Sequence, residues 1–180
     1  MNIVPFQAKN KPVKPEPILF AKQLRLILGE ACWGIVAGKG AGSVVSLKLG
    51  CKSAKKKPAK NQRLTEDERN YDPAFSLLVF SAWRLSNSAG VICGWRDCND
   101  KDSVLIRGLE NLRHVCVIEV QLNPISYDLT LCFEGGLIFE IFCDITGAHD
   151  ADDNYYFFTP TEVYTVGMSS ELLVEERVFE

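Results

Sequence analysis

The chain has few of the residues on which most enzymes depend. Its 180 residues include only two histidines, His114 and His149, which narrows any acid–base scheme. Its seven cysteines, Cys32, Cys51, Cys93, Cys98, Cys116, Cys132 and Cys143, form no C-x-x-C pair. Most lie in apolar runs, where a free thiol packs as a small hydrophobe. That spacing argues against a zinc site, and the odd count suits a reducing compartment. Long apolar stretches are missing too. Runs such as AFSLLVF and VCVIEV fall far short of the roughly 18 residues a membrane helix needs. The opening MNIVPFQAKNKPVKPEP has no apolar centre of the kind a signal peptide carries. A cytoplasmic protein without a membrane partner is the expectation.

What is present is the composition of one ordinary globular domain, 47% hydrophobic and 24% charged, with enough apolar residues for a sizeable core. The formal charge of −3 hides a division. Residues 1–69 hold 14 Lys and Arg against 5 Asp and Glu, a balance of +9, whereas residues 70–180 hold 6 against 18, a balance of −12. A basic front and an acidic body point to charge-complementary protein partners. Nucleic-acid binding would call for a basic stripe on the folded part and is not expected.

The sequence GKGAGS at 38–43 invites comparison with a phosphate cradle, which needs a helix after it and a Gly-Lys-Ser/Thr ending or full G-x-G-x-x-G spacing. Lys39 is followed by Gly40, and SVVSLKLG then alternates with a strand's period of two. With CWGIVA upstream also strand-like, the glycines read as a hairpin loop with positive φ angles.

Elsewhere the pattern gives a Lys/Pro-rich flexible lead-in over 1–17, then a short helix in ILFAKQLRLILGE. The charged segment 51–70, about 20 residues with almost nothing to bury, reads as a solvated basic loop. AFSLLVFSAWRL reads as one central strand, followed by a turn at SNSAG and the strand VICGWR. Asp102 or Ser103 caps a second helix with Leu105, Ile106, Leu109 and Leu112 on its apolar stripe. Strands follow at VCVIEVQL, YDLTLCFE, LIFEIFC, YYFF and EVYTV, with Gly135 and Gly136 as a two-residue turn. Residues 169–180 read as an acidic tail behind a single domain over 18–168. The expected architecture is α+β: a mostly antiparallel, meandering sheet of about six to eight strands with two short helices on it.

No catalytic residues emerge. A Ser43, His149 and Asp144 triad lacks a nucleophile elbow around any serine, and a Cys–His pair lacks an electropositive, exposed thiol. The one chemically dense cluster is the loop with Asp144, His149, Asp150, Asp152 and Asp153, followed by Tyr155 and Tyr156. It reads as a partner-binding face, a metal site or a solvated turn. As a calcium loop it lacks the sixth-position glycine and distant glutamate, so no metal and no cofactor is expected. Carboxylates beside tyrosines suit a protein-binding patch with an electrostatic rim.

WGIVAGKGAGSVVSLKLG, then AWRL, GVI and Asp97, VLIRGLENLRHVCVIEV, YDLTLCFEGGLIFEIF and YYFFTP resemble, in that order, small bacterial immunity proteins that accompany polymorphic or contact-dependent toxins. The likeness covers residues 25–168, with the lysine-rich 52–63 as an insertion. It implies a non-enzymatic neutraliser that binds a cognate toxin with a basic face and occludes its active site, and it carries over no catalytic residue. A homodimer is compatible with it. Two alternatives stand beside it: a small-molecule or metal-binding enzyme with its site at Asp144–Asn154, and a structural or oligomeric module that uses exposed sheet edges.

Overall fold

A computed structural model describes residues 13–147 and 153–177. The described residues form eleven strands and three short α-helices. The strands are β1 (Cys32–Val36), β2 (Val45–Ala54), β3 (Tyr71–Val79), β4 (Ala82–Asn87), β5 (Gly90–Gly94), β6 (Val117–Leu122), β7 (Leu129–Phe133), β8 (Leu137–Phe142), β9 (Tyr155–Phe158), β10 (Glu162–Val166) and β11 (Leu172–Glu176). The helices are α1 (Pro17–Leu24), α2 (Glu66–Asn70) and α3 (Val104–Leu109). The α+β class and the antiparallel pairing hold. The strands, however, divide into two sheets, ordered β1-β2-β3-β9-β10-β11 and β5-β4-β8-β7-β6.

Both sheets turn their alternate apolar residues into one core. Leu47, Leu49, Leu77 and Phe157 come from the six-stranded sheet, and Trp83, Leu131, Phe133 and Phe139 from the five-stranded one. Trp83 stacks on Phe139 with ring centroids 5.5 Å apart. Helix α1 begins with Pro17, whose fixed φ suits a first turn. It carries Phe20 to within 5.1 Å of the Tyr164 ring and 6.4 Å of the Phe157 ring. Ser103, not Asp102, caps α3, its hydroxyl accepting from the Ile106 amide.

Five sequence-based expectations change. AFSLLVFSAWRL is two strands, because the chain passes from one sheet to the other at Phe80–Ser81. Phe75, Leu77, Val79, Ser81, Trp83 and Leu85 are nonetheless all buried: both sheets face the same core, so the inward parity survives the crossing. The acidic tail contains a strand, since β11 pairs with β10 from Val166↔Leu172 to Glu162↔Glu176. Val13, in the lead-in, bridges to Val174 of that strand. The basic segment 51–70 is structured at both ends. Strand β2 continues to Ala54 past a register shift between Leu49 and Lys52, and α2 opens with a capping box between Thr65 and Glu68. The turn between β7 and β8 has three residues, Glu134–Gly136, with both glycines at positive φ.

The glycine loop joins antiparallel β1 and β2 as expected, with φ of 93° at Gly38, 98° at Gly40 and 65° at Gly42. It is fastened to the core: the Trp83 indole N–H donates to the Ser43 carbonyl at 2.8 Å, and the Asn99 amide donates to the Gly42 carbonyl at 2.9 Å.

Candidate functional site

The 144–154 loop leaves the five-stranded sheet after β8 and enters the six-stranded sheet at β9, so its two ends are held by different sheets. Asn154 fixes the returning end. It is fully buried; its side-chain oxygen accepts from the Ile145 amide at 3.0 Å, and its side-chain nitrogen donates to the Gly167 carbonyl at 2.7 Å. Its backbone carbonyl takes the amides of Phe80 and Ser81, both at 3.0 Å. One buried amide therefore ties the loop to the sheet-crossing point and to the end of β10. At the outgoing end, Asp144 is exposed and accepts from the Ala82 amide at 3.1 Å.

Of the residues singled out from the sequence, His149, Asp150 and Asp152 lie outside the described residues. Asp153 is partly buried and accepts a hydrogen bond from the Tyr156 hydroxyl. Tyr155 and Tyr156 part company. Tyr155 is fully buried and donates its hydroxyl proton to the Tyr127 carbonyl at 2.9 Å. Burial pushes its pKa well above the ordinary phenol value. Tyr155 is thus a core residue and leaves the partner-binding set.

Tyr156 is on the outer face of the six-stranded sheet, opposite Leu78 of β3 and Thr165 of β10. Its ring stacks with Phe158 at 6.2 Å and meets Phe80 edge-on at 5.9 Å. The Arg177 guanidinium lies over Phe158 at 5.8 Å. Phe80, Tyr156 and Phe158 are all half-buried, and they form an aromatic row that begins at the foot of the acidic loop. Phe80 and Phe158 were not singled out from the sequence. The alternation of YYFF shows that one tyrosine and one phenylalanine share a face, but not which face is wet.

A second surface lies on the β1 side of the same sheet. Trp33 is 4% exposed, and the ammonium groups of Lys48 and Lys52 stand 5.5 and 4.9 Å from its ring centroid. Glu68 of α2, only 2% exposed, accepts from the Ile35 amide and, through its other oxygen, from the Thr65 amide, both at 2.9 Å. The Arg113 guanidinium lies 3.9 Å from it. The charged segment therefore supplies a buried acid that clamps α2 to β1. The spacing Thr65-x-x-Glu68 signals that helix start in the sequence.

Burial, assisted by the neighbouring Lys55 charge, lowers the Lys48 pKa to about 8, against the pull of Glu68 and Asp72. The folded chain therefore binds this proton less tightly than the unfolded chain, and the penalty of holding Lys48 charged is relieved as pH rises from about 8 to the ordinary 10.5. Lys48→Met is expected to be more stable than the parent at pH 7, by about 1–3 kcal/mol. The gap should close toward pH 10.5. Urea unfolding of both proteins across that range checks this, and a gap independent of pH would contradict it.

No cluster of three or more metal-ligating side chains occurs among the described residues, and none of their helices is long and apolar enough to cross a membrane. No family model, curated protein or solved structure matches the chain significantly.

Proposed function

We propose that the protein is a cytoplasmic immunity protein, which neutralises a cognate bacterial toxin by stoichiometric binding and covers the toxin's active site without catalysing a reaction. The observation that carries this reading is the half-buried Phe80–Tyr156–Phe158 row, whose Tyr156 hydroxyl donates to Asp153, next to a stretch of sequence that also holds Asp144, Asp150 and Asp152. Half-buried aromatic rings supply contact area at little cost in conformational entropy, and carboxylates beside them form a charged rim. The balance of −12 over residues 70–180 attracts a basic partner from a distance and raises the encounter rate. The ordered resemblance of residues 25–168 to immunity proteins supports the same conclusion. The contact comprises Asp144, His149, Asp150, Asp152, Asp153 and Tyr156, extended by Phe80 and Phe158.

Reversing Asp150, Asp152 and Asp153 to lysine is expected to slow association with the toxin about tenfold or more at low salt and to flatten the dependence of the on-rate on ionic strength. The melting transition should stay within a few degrees of the parent. Stopped-flow association at two ionic strengths measures this; unchanged kinetics would place the interface elsewhere.

A further inference from the structure

The glycine loop forms one wall of a cleft of about 250 Å³. Ile35, Val36, Ala37 and Leu64 give the lining its aliphatic part, and Lys39, Asn61, Arg63 and Glu68 its polar part. We propose that this cleft binds a small organic carboxylate, with the apolar body against the aliphatic residues and the carboxylate held between Arg63 and Lys39.

Three features carry the proposal. The first is the availability of the cations. Arg63 is exposed and spends one guanidinium nitrogen on the Lys39 carbonyl at 3.1 Å. That bond orients its planar fork across the cleft and leaves donors for the paired oxygens of a carboxylate. Among the described residues, Lys39 is paired only with Asp100, at 3.6 Å between side chains 77% and 66% exposed, a contact weak enough for a ligand to displace. The second is the treatment of the one acid in the lining. Both Glu68 oxygens accept backbone amides, and Arg113 approaches from 3.9 Å, so this charge is occupied and countered.

The third is preorganisation. A Cβ at residue 40 would stand 3.0 Å from the Arg63 guanidinium, and a Cβ at residue 38 would stand 2.8 Å from the end of Ile106. Glycine at these positive-φ positions thus lets Arg63 close over the loop, while Ser43 and Gly42 are fastened by Trp83 and Asn99. A cleft so held keeps its shape without a ligand. The size fits a ligand well below drug size, and affinity in the range of about 1–10 mM is what so few atoms support. The proposal does not depend on the immunity reading.

The test uses the full chain labelled with ¹⁵N. Amide spectra are titrated with sodium benzoate to about 20 mM, with benzylamine hydrochloride and sodium chloride as controls at matched ionic strength. Benzoate should give saturable shifts at the Gly38, Lys39 and Gly40 amides that neither control reproduces. Arg63→Gln should weaken binding about tenfold with the rest of the spectrum unchanged. Ala37→Leu, which fills the cleft and keeps both cations, should abolish the saturable shifts. Absence of saturation in the parent, equal shifts from either control, or benzoate binding unaffected by both substitutions would overturn the proposal.

Discussion

Replacing Glu68 with alanine is expected to remove about 3–5 kcal/mol of stability, because taking away one partner of a buried charged network leaves the others unpaired. The carboxylate is 2% exposed and serves three groups: the Ile35 amide of β1, the Thr65 amide at the start of α2, and the Arg113 guanidinium. Alanine leaves both amides without the acceptor that now serves them. It also breaks the capping box that starts a five-residue helix, a length that does not hold without tertiary support. Glu68→Gln should fall between, since one amide oxygen can satisfy one donor while its NH₂ faces the other. Urea denaturation gives both values. A loss below about 1 kcal/mol for Glu68→Ala would mean that α2 is not clamped to β1 as described.

Asn154→Ala should cost about 2–4 kcal/mol. The side chain both accepts from Ile145 and donates to Gly167, and no single apolar replacement satisfies a donor and an acceptor on two separate strand ends. The effect should be local as well as global. Amide hydrogen exchange at Ile145, which loses its acceptor, and to a smaller extent at Phe80–Ser81, whose acceptor is the backbone carbonyl that the Asn154 side chain seats, should rise relative to the centre of β7. Uniform acceleration everywhere, with no excess at these sites, would show that Asn154 contributes only to the global fold. Toxin binding, if it uses this loop, should weaken with it.

These two residues also mark where the sequence became hard to read. The β7–β8 hairpin was plain, because Leu129, Leu131, Phe133, Phe139 and Ile141 are buried at strict alternation around two glycines. The glycine hairpin and the Ser103-capped helix were plain for similar local reasons. The division into two sheets was not. Inward parity runs unbroken through Ser81, and periodicity reports the buried face without saying which sheet carries it. Strand β11 was masked because Glu171, Glu175 and Glu176 surround an apolar core of three residues, and its pairing with β10 is decided by tertiary contact. Glu68 lay within a segment whose charges suggested solvent, and only its spacing from Thr65 marked it as a cap. Asn154 carries no sequence signal at all, since its partners are set by how the two sheets meet. Of the two adjacent tyrosines, alternation required one inside and one outside, and only the register of β9 against β3 assigned Tyr156 to the outer face.

The immunity reading rests on a partner, so the decisive measurement is a titration of that partner's activity. The product of the reading frame adjacent to this one supplies the candidate toxin. Its activity should fall linearly as the protein is added and vanish at one equivalent, with the two co-purifying as a complex, and the Asp150, Asp152 and Asp153 charge-reversed variant should shift the titration to excess. Toxin activity that persists at several equivalents, or turnover of a substrate by the purified protein alone, would contradict the account.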